Sequence, residues 1–111
     1  MELSSGQIET VTVVRCRGRL VHGDESENFH HVVKSLIQTN PRVLLNLAEV
    51  SYVDSGGLGL RFALRTSAQN AGGHLVLASP NQRLLDLLNT TRLITVFDVC
   101  DGEEAGMRCF H

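Results

Sequence analysis

A glycine-rich junction in the middle of the chain is the segment whose residue types and spacing could do chemistry. It joins an apolar strand pattern to a helical pattern through Asp54, Ser55, Gly56, Gly57, Leu58 and Gly59. Glycine at such a turn removes the Cβ atoms that would hold another surface away, and the helix N-terminus behind it points N–H groups outward. Those donors can bind a carbonyl, a carboxylate or a phosphate. The junction therefore predicts a binding loop made by Asp54, Ser55, Gly56, Gly57 and Leu58.

Enzymatic chemistry has few candidate groups in this chain. A catalytic site needs a nucleophile, a base and an orienting group that converge in one pocket. The five histidines are scattered and form no nucleophile or metal-ligand pattern with a cysteine: His22, His30, His31, His74 and His111. The three cysteines have no C-x-x-C pair, which is typical of ordinary thiols: Cys16, Cys100 and Cys109. We predict a protein that is not an enzyme, with no catalytic residue, metal site or cofactor.

A nucleotide-binding protein is the alternative from another functional class, because a glycine-rich loop precedes a helix. Neither a G-x-x-x-x-G-K-S/T nor a G-x-G-x-x-G pattern is present. Asp54 would also place a negative charge where a phosphate should lie. A dose-dependent rise in melting temperature with added nucleotide would favour this alternative.

Length and composition indicate one globular domain over residues 1–111. The chain is 42% hydrophobic and 20% charged, with a formal net charge of -2. Acidic and basic residues are interspersed, which gives no broad basic face for nucleic acid and no polybasic run for a membrane. Neither a signal peptide nor a long apolar run is evident. We expect a cytoplasmic protein that binds no nucleic acid and does not insert into a membrane.

The first half of the chain alternates between strand and helix patterns. A β-branched strand is predicted over residues 8–20, with Gly18 marking where it should weaken or end. Residues 2–7 are its predicted hairpin partner, with Ser5-Gly6 at the turn. Asp24 and Glu27 resemble a capping box, and a helical stripe follows it: Phe29, Val32, Val33, Leu36 and Ile37. Residues 42–47 are predicted as a short strand buried on both faces. The glycine-rich junction then leads into a second helix with a stripe of small and apolar residues.

The second half continues the alternation. Gly72-Gly73 ends the second helix, and residues 74–78 form the next strand. Ser79 and Gln82 bracket Pro80 as a capping box that opens a third helix. A last strand is predicted over residues 95–99, and Asp101 with Glu104 starts a short terminal helix weakened by Gly106. This order predicts an α/β layer with right-handed crossover connections.

The segment from Tyr52 to Gly59 resembles the Asp-Ser-Ser-Gly-Leu-Gly loop of STAS-domain anti-sigma factor antagonists. The resemblance extends along most of the chain through four further segments: Gly18-Arg19-Leu20, Leu45-Asn46-Leu47, Ala71-Gly72-Gly73 and Ser79-Pro80-Asn81. It implies an α/β fold with a single STAS-like domain. Its central sheet would be mixed and mostly parallel, with about four or five strands and about three or four helices.

The resemblance also implies a binding mechanism. Members of the family capture an anti-sigma factor, often a serine kinase, and so free a sigma factor for transcription. The kinase phosphorylates the second serine of the loop and thereby ends the capture. In this chain Gly56 occupies that acceptor position and has no hydroxyl, so the usual phosphate switch is absent there. Ser55 is a displaced candidate acceptor, but a helix-capping or turn role is favoured for it.

We predict a partner-binding surface that extends beyond the loop to the His22, Gly23 and Asp24 turn. It includes Arg61, Arg65 and Gln69 as an exposed row along the following helix. A solvated helix face without a partner is the competing interpretation of that row. The alternative among binding modules is a STAS subunit of a lipid-transport ABC system. Such proteins carry a similar loop with a small residue, and they dock onto an ATPase. Both interpretations stay open at the level of sequence.

Overall fold

A five-stranded mixed sheet forms the centre of the protein, as the computed structural model shows for residues 2–20, 24–53, 66–92, 94 and 97–110. The strands lie side by side in chain order: β1 (Glu2–Ile8), β2 (Val11–Leu20), β3 (Arg42–Val53), β4 (His74–Ala78) and β5 (Asp98–Cys100). β1 pairs antiparallel with β2, and the other neighbouring strands pair in parallel. The predicted mixed, mostly parallel α/β sheet is confirmed.

Helices cover both faces of the sheet. They are α1 (Asp24–Thr39), α2, whose described part is residues 66–70, α3 (Gln82–Thr90) and α4 (Glu103–Arg108). α1 and α3 bury Phe29, Val33 and Leu84 in the larger core cluster. α4 covers a smaller cluster on the opposite face, formed by Val11, Val13, Leu44 and Ala78. Since successive strand residues point to opposite faces, the buried apolar runs at residues 43–45 of β3 and 75–78 of β4 are covered on both sides of the sheet.

The hairpin turn lies further along the chain than predicted. The expected turn at Ser5-Gly6 is wrong, because β1 continues through both residues and pairs Gly6 with Val13. The chain reverses at residues 9–10 instead, and Glu9 takes a φ of 54°. Positive φ at the first turn residue matches the twist of the flanking strands in a two-residue hairpin. Gly6 is accommodated within the edge strand.

β3 is twice as long as the predicted strand over residues 42–47. Its extension pairs with the end of β2, and the register shifts between Gly18 and Arg19. Gly18 adopts a φ of 115° at this shift, so β2 is irregular at Gly18 but continues to Leu20. In the extension Val50 is buried between the exposed Glu49 and Ser51, so no apolar run revealed it.

The third helix begins at Gln82, two residues after the predicted start at Pro80. The predicted capping box at Ser79 and Gln82 is wrong, because Asn81 is the N-cap and its side-chain oxygen accepts a bond from the Leu84 N–H at 2.8 Å. The Ser79 N–H bonds instead to the Cys100 carbonyl at 2.9 Å, which extends the β4–β5 contact. Asparagine caps a helix as well as serine does, so local propensity alone does not separate the two positions.

The exit from α2 agrees with the prediction. The Gly73 N–H donates to the Ala68 carbonyl at 2.8 Å, and the Gly72 N–H donates to Gln69 at 3.0 Å. Gly72 has a φ of 83°, the left-handed conformation that closes a Schellman motif. This bonding carries the chain directly into β4.

The last strand and helix are present with shifted boundaries. β5 is Asp98–Cys100, and residues 95 and 96 of the predicted strand lie outside the described part of the chain. α4 starts at Glu103 with Gly102 as its N-cap. Gly106 is buried, and a Cβ there would lie 2.6 Å from Leu44 Cδ1. Glycine therefore allows α4 to pack closely on the sheet, and it is more than a weak point in the helix.

Glu103 fastens the start of α4 to the sheet. Arg15 Nε donates to Glu103 Oε2 at 3.0 Å and Arg15 Nη2 donates to Oε1 at 2.9 Å. The Asn46 side-chain amide also donates to Oε2. The Arg15 hydrogen bonds lower the pKa of Glu103 below its ordinary value, against a smaller opposing effect of burial. Because the pair is partly exposed, its contribution to stability is modest.

Glu103→Gln is expected to lower the free energy of unfolding at neutral pH by about 1 kcal/mol. The lowered pKa makes the carboxylate stabilising above the ordinary value of 4.5, and this contribution is lost as pH falls through the folded pKa. Urea unfolding near pH 7 and near pH 3 tests both parts. Glu104→Gln, on the same helix but 91% exposed, is the control and should change little. An equal loss for Glu103→Gln at both pH values would contradict the assignment.

Candidate functional site

The carboxyl edge of the parallel strands is the place that the fold makes available for binding. β2, β3 and β4 run in the same direction, so their carboxyl ends point the same way. Leu20 and Val53 are register partners, whereas Ala78 pairs with Asn46, further back along β3. The predicted binding loop begins directly after Val53. Ligands of open parallel sheets bind at the carboxyl ends of their strands. The predicted loop therefore starts at the carboxyl end of β3, which is where ligands of such sheets bind.

Most of the predicted site residues lie outside the described part of the chain. This holds for the loop residues Asp54, Ser55, Gly56, Gly57 and Leu58, and for His22, Gly23, Arg61 and Arg65. Asp24 is the first residue of α1, and Gln69 is exposed on α2. Their role in a binding surface stays a prediction. What the structure describes at this edge is the framework around the loop.

Two arginines flank one tyrosine at this edge, and sequence reasoning had not linked them. The Arg19 guanidinium lies 5.3 Å from the Tyr52 ring centroid, and the Arg83 guanidinium lies 5.1 Å from it. Both arginines are exposed, and Tyr52 is half-buried. Each contact is a cation–π interaction worth about 0.5–1 kcal/mol at an exposed site. We call Arg19, Tyr52 and Arg83 the arginine–tyrosine patch.

Three elements bring the patch together. Arg19 and Tyr52 are register partners in the β2–β3 pairing, and Arg83 lies in the first turn of α3. Asn81 fixes the start of α3 to β3, because its side-chain amide donates to the Val50 carbonyl at 2.8 Å. The patch is thus held by the sheet register and by the helix cap. Tyr52 precedes Asp54 by only two residues, so the patch adjoins the predicted loop.

The patch carries positive charge without a counter-charge from the described residues. None of their carboxylates forms an ion pair with Arg19 or Arg83, whereas Arg15, Arg17 and Arg108 each have an acidic neighbour. Exposed guanidinium groups held on an aromatic ring are suited to bind carboxylates on another protein. This edge can therefore attract an acidic protein surface.

Among the described residues, the histidines lie on separate elements of the fold. His74 pairs with Asp98 at 2.5 Å at the opposite, amino end of β4. His30 and His31 lie on α1, where His31 is exposed. Within residues 2–20, 24–53, 66–92 and 97–110, no three His, Cys, Asp or Glu side chains cluster as metal ligands would. Nor does any described helix combine the length and apolar character needed to cross a membrane.

A mixed five-stranded sheet with helices on both faces and a glycine-rich loop after its central strand defines a class of small α/β domains. A family model described as STAS domain matches residues 3–105. The chain belongs to the STAS domain family. This confirms the family that the sequence motifs indicated.

Two curated relatives are named as anti-sigma factor antagonists. The chain is 34% identical over 62 residues to the anti-sigma-B factor antagonist of Bacillus subtilis, covering 56% of this chain and 57% of that protein. It is 33% identical over 60 residues to a candidate anti-sigma factor antagonist of Thermotoga maritima, covering 51% of this chain and 53% of the relative. The match thus spans little more than half the length of these curated relatives.

A solved structure extends the likeness to nearly the whole fold. The crystal structure of a candidate anti-sigma factor antagonist from Thermotoga maritima superposes with a TM-score of 0.90, covering 97% of this chain and 93% of that one. The sequence identity is 22%, so this similarity concerns the fold. The backbone framework around the loop is therefore shared with that protein.

Proposed function

We propose that this protein is an anti-sigma factor antagonist that binds an anti-sigma factor of the serine-kinase type and thereby controls sigma-dependent transcription. The observation that carries the proposal is the sequence similarity to the anti-sigma-B factor antagonist of Bacillus subtilis. The protein acts by binding, in the cytoplasm, and performs no catalysis of its own. Its partner is captured at the carboxyl edge of the sheet.

The arginine–tyrosine patch supports this location for the partner. It adjoins the predicted loop, and its two exposed guanidinium groups favour an acidic surface on the other protein. Complementary charge of this kind accelerates association and selects among partners. The loop from Asp54 to Leu58 brings backbone close to the partner, while Arg19 and Arg83 provide the charge beside it.

Direct binding tests the proposal. Each serine-kinase anti-sigma factor encoded in the source genome is titrated with the purified protein by calorimetry. One of them is expected to form a stable complex and to release its sigma factor in an in vitro transcription assay. Absence of binding to every such kinase would overturn the proposal, as would a stable complex with a transporter ATPase alone.

We further propose that the capture is not ended by phosphorylation of the loop. Gly56 occupies the acceptor position of the family motif and has no hydroxyl. Phosphorylation would add about -1.5 to -2 charges to the docking loop, so its absence leaves the complex insensitive to the kinase reaction. Intact mass after incubation with the partner kinase and ATP should show no added phosphate, whereas Gly56→Ser should gain one. Stoichiometric phosphate on Ser55 of the natural chain would contradict this proposal.

A further inference from the structure

Two cysteine thiols that no sequence pattern had paired lie next to each other. Cys100 ends β5 and Cys109 follows α4, and their Sγ atoms are 3.3 Å apart. Cys109 is exposed and Cys100 is partly buried. A disulfide bond requires a separation of about 2.05 Å, so a closure of little more than 1 Å would join the two sulfurs. Cys16 lies in the larger core cluster and takes no part in this contact.

The position of Cys109 is fixed from both sides along the chain. On its N-terminal side, α4 packs closely on the sheet through Gly106 and Leu44. On its C-terminal side, the Phe110 ring lies 5.6 Å from the Arg42 guanidinium and 5.7 Å from the His74 ring. The Arg42 side chain also donates a hydrogen bond to the Phe110 carbonyl. Cys109 is therefore held near Cys100 by contacts that do not involve either thiol.

We propose that Cys100 and Cys109 form a reversible, oxidant-responsive disulfide site, whose oxidant is a small disulfide such as oxidised glutathione. The inference is independent of the function proposed above, because it rests on the packing of α4 against the sheet. In the oxidised protein the bond would fasten the end of α4 to β5. In the reduced protein α4 is held by its noncovalent contacts.

The two thiols have different roles in the exchange. The Cys109 thiolate attacks one sulfur of oxidised glutathione, which forms a mixed disulfide and releases one glutathione thiolate. The Cys100 thiolate then attacks Cys109 Sγ, which closes the protein disulfide and releases the second glutathione thiolate. Two protein thiols are oxidised, one glutathione disulfide is reduced, and both protein protons pass to solvent or to the released thiolates.

The exposure of the two thiols and the pKa of Cys100 decide which thiol attacks oxidised glutathione first. Cys109 is exposed to a small disulfide, whereas Cys100 is partly buried. Burial raises the pKa of Cys100 to about 11, and the hydrogen bond and charge of Cys109 and the carboxylates of Asp98 and Asp101 contribute to the rise. A raised pKa keeps Cys100 in the thiol form at neutral pH and slows its attack on an external disulfide. Its attack on Cys109 is favoured because that sulfur lies beside it.

Oxidation of the full chain in glutathione buffers of increasing oxidised fraction, with a metal chelator present, tests the site. Intact mass should fall by about 2 Da, the two hydrogens lost on forming one disulfide. Peptide mapping should join Cys100 to Cys109. The melting temperature should rise on oxidation and return after reduction.

Single substitutions separate the two roles. Cys100→Ser should accumulate one glutathione on Cys109, because the second attack is removed. Cys109→Ser should react more slowly, because the remaining thiols are the buried Cys16 and the partly buried Cys100, whose pKa is raised. The proposal is overturned if the natural chain stays fully reduced in oxidised glutathione, if it ends with a separate glutathione on each cysteine, or if it forms only intermolecular disulfides.

Discussion

Gly73→Ala is expected to lower the free energy of unfolding by about 3 kcal/mol, since overpacking at a rigid site forces the backbone to move. A Cβ at Gly73 would overlap the carbonyl oxygen and the Cβ of Pro41. Neither atom belongs to a flexible side-chain end. Hydrogen bonds also fix both segments. The Gly73 N–H donates to the Ala68 carbonyl at 2.8 Å, and the His74 N–H donates to the Pro41 carbonyl at 2.9 Å.

Two other glycines provide matched controls for this substitution. Gly6 has open space within 4 Å of the Cβ position, so Gly6→Ala should change stability by less than about 0.5 kcal/mol. Gly72 also has open space, but its φ of 83° strains an alanine by about 1 kcal/mol. Chemical denaturation of the three variants should rank them in the order Gly73, Gly72 and Gly6. Equal losses at all three positions would show that the contact with Pro41 is not the cause.

The order and type of the elements could be predicted because their signals are local. The helical stripe after Asp24, the apolar run of β4 and the Gly72-Gly73 exit each depend on a few neighbouring residues. The errors arose where long-range pairing decides. The hairpin turn follows from the pairing of β1 with β2, and the choice of Asn81 over Ser79 as N-cap follows from contacts with β3 and β5.

Of the candidate site, the sequence indicated only the loop, whose role in binding stays a prediction. The Asp54 to Leu58 segment carries a family motif in consecutive residues, so the sequence alone indicates it. The arginine–tyrosine patch depends on a register shift in β2 and on the anchoring of α3 by Asn81, and neither leaves a sequence pattern. The pairing of Cys100 with Cys109 likewise depends on how α4 lies on the sheet. The sequence therefore did not reveal the patch or the cysteine pair, because tertiary packing brings each of them together.

The double substitution Arg19→Glu and Arg83→Glu is expected to weaken binding of the proposed partner about 100-fold, a loss of about 2.7 kcal/mol. Both arginines are exposed beside the predicted loop, and neither is neutralised by a described carboxylate. Reversal of both charges would turn attraction to an acidic surface into repulsion. Calorimetric titration of the partner kinase at several salt concentrations measures the effect, which should shrink as salt rises because exposed charges are screened.

Arg108→Glu is a single charge-reversal control, since Arg108 is 73% exposed and lies two residues before Phe110, whose carbonyl accepts a hydrogen bond from Arg42 at the amino end of β3. It should leave partner affinity unchanged, and urea unfolding should show that all the variants remain folded. A loss of affinity in Arg108→Glu as well would indicate that net charge, rather than the patch, causes the effect. Unchanged affinity of the double variant in a complex that the natural chain forms would exclude the patch from the interface while leaving the antagonist function intact. The charge beside the loop is thus tested separately from the function itself.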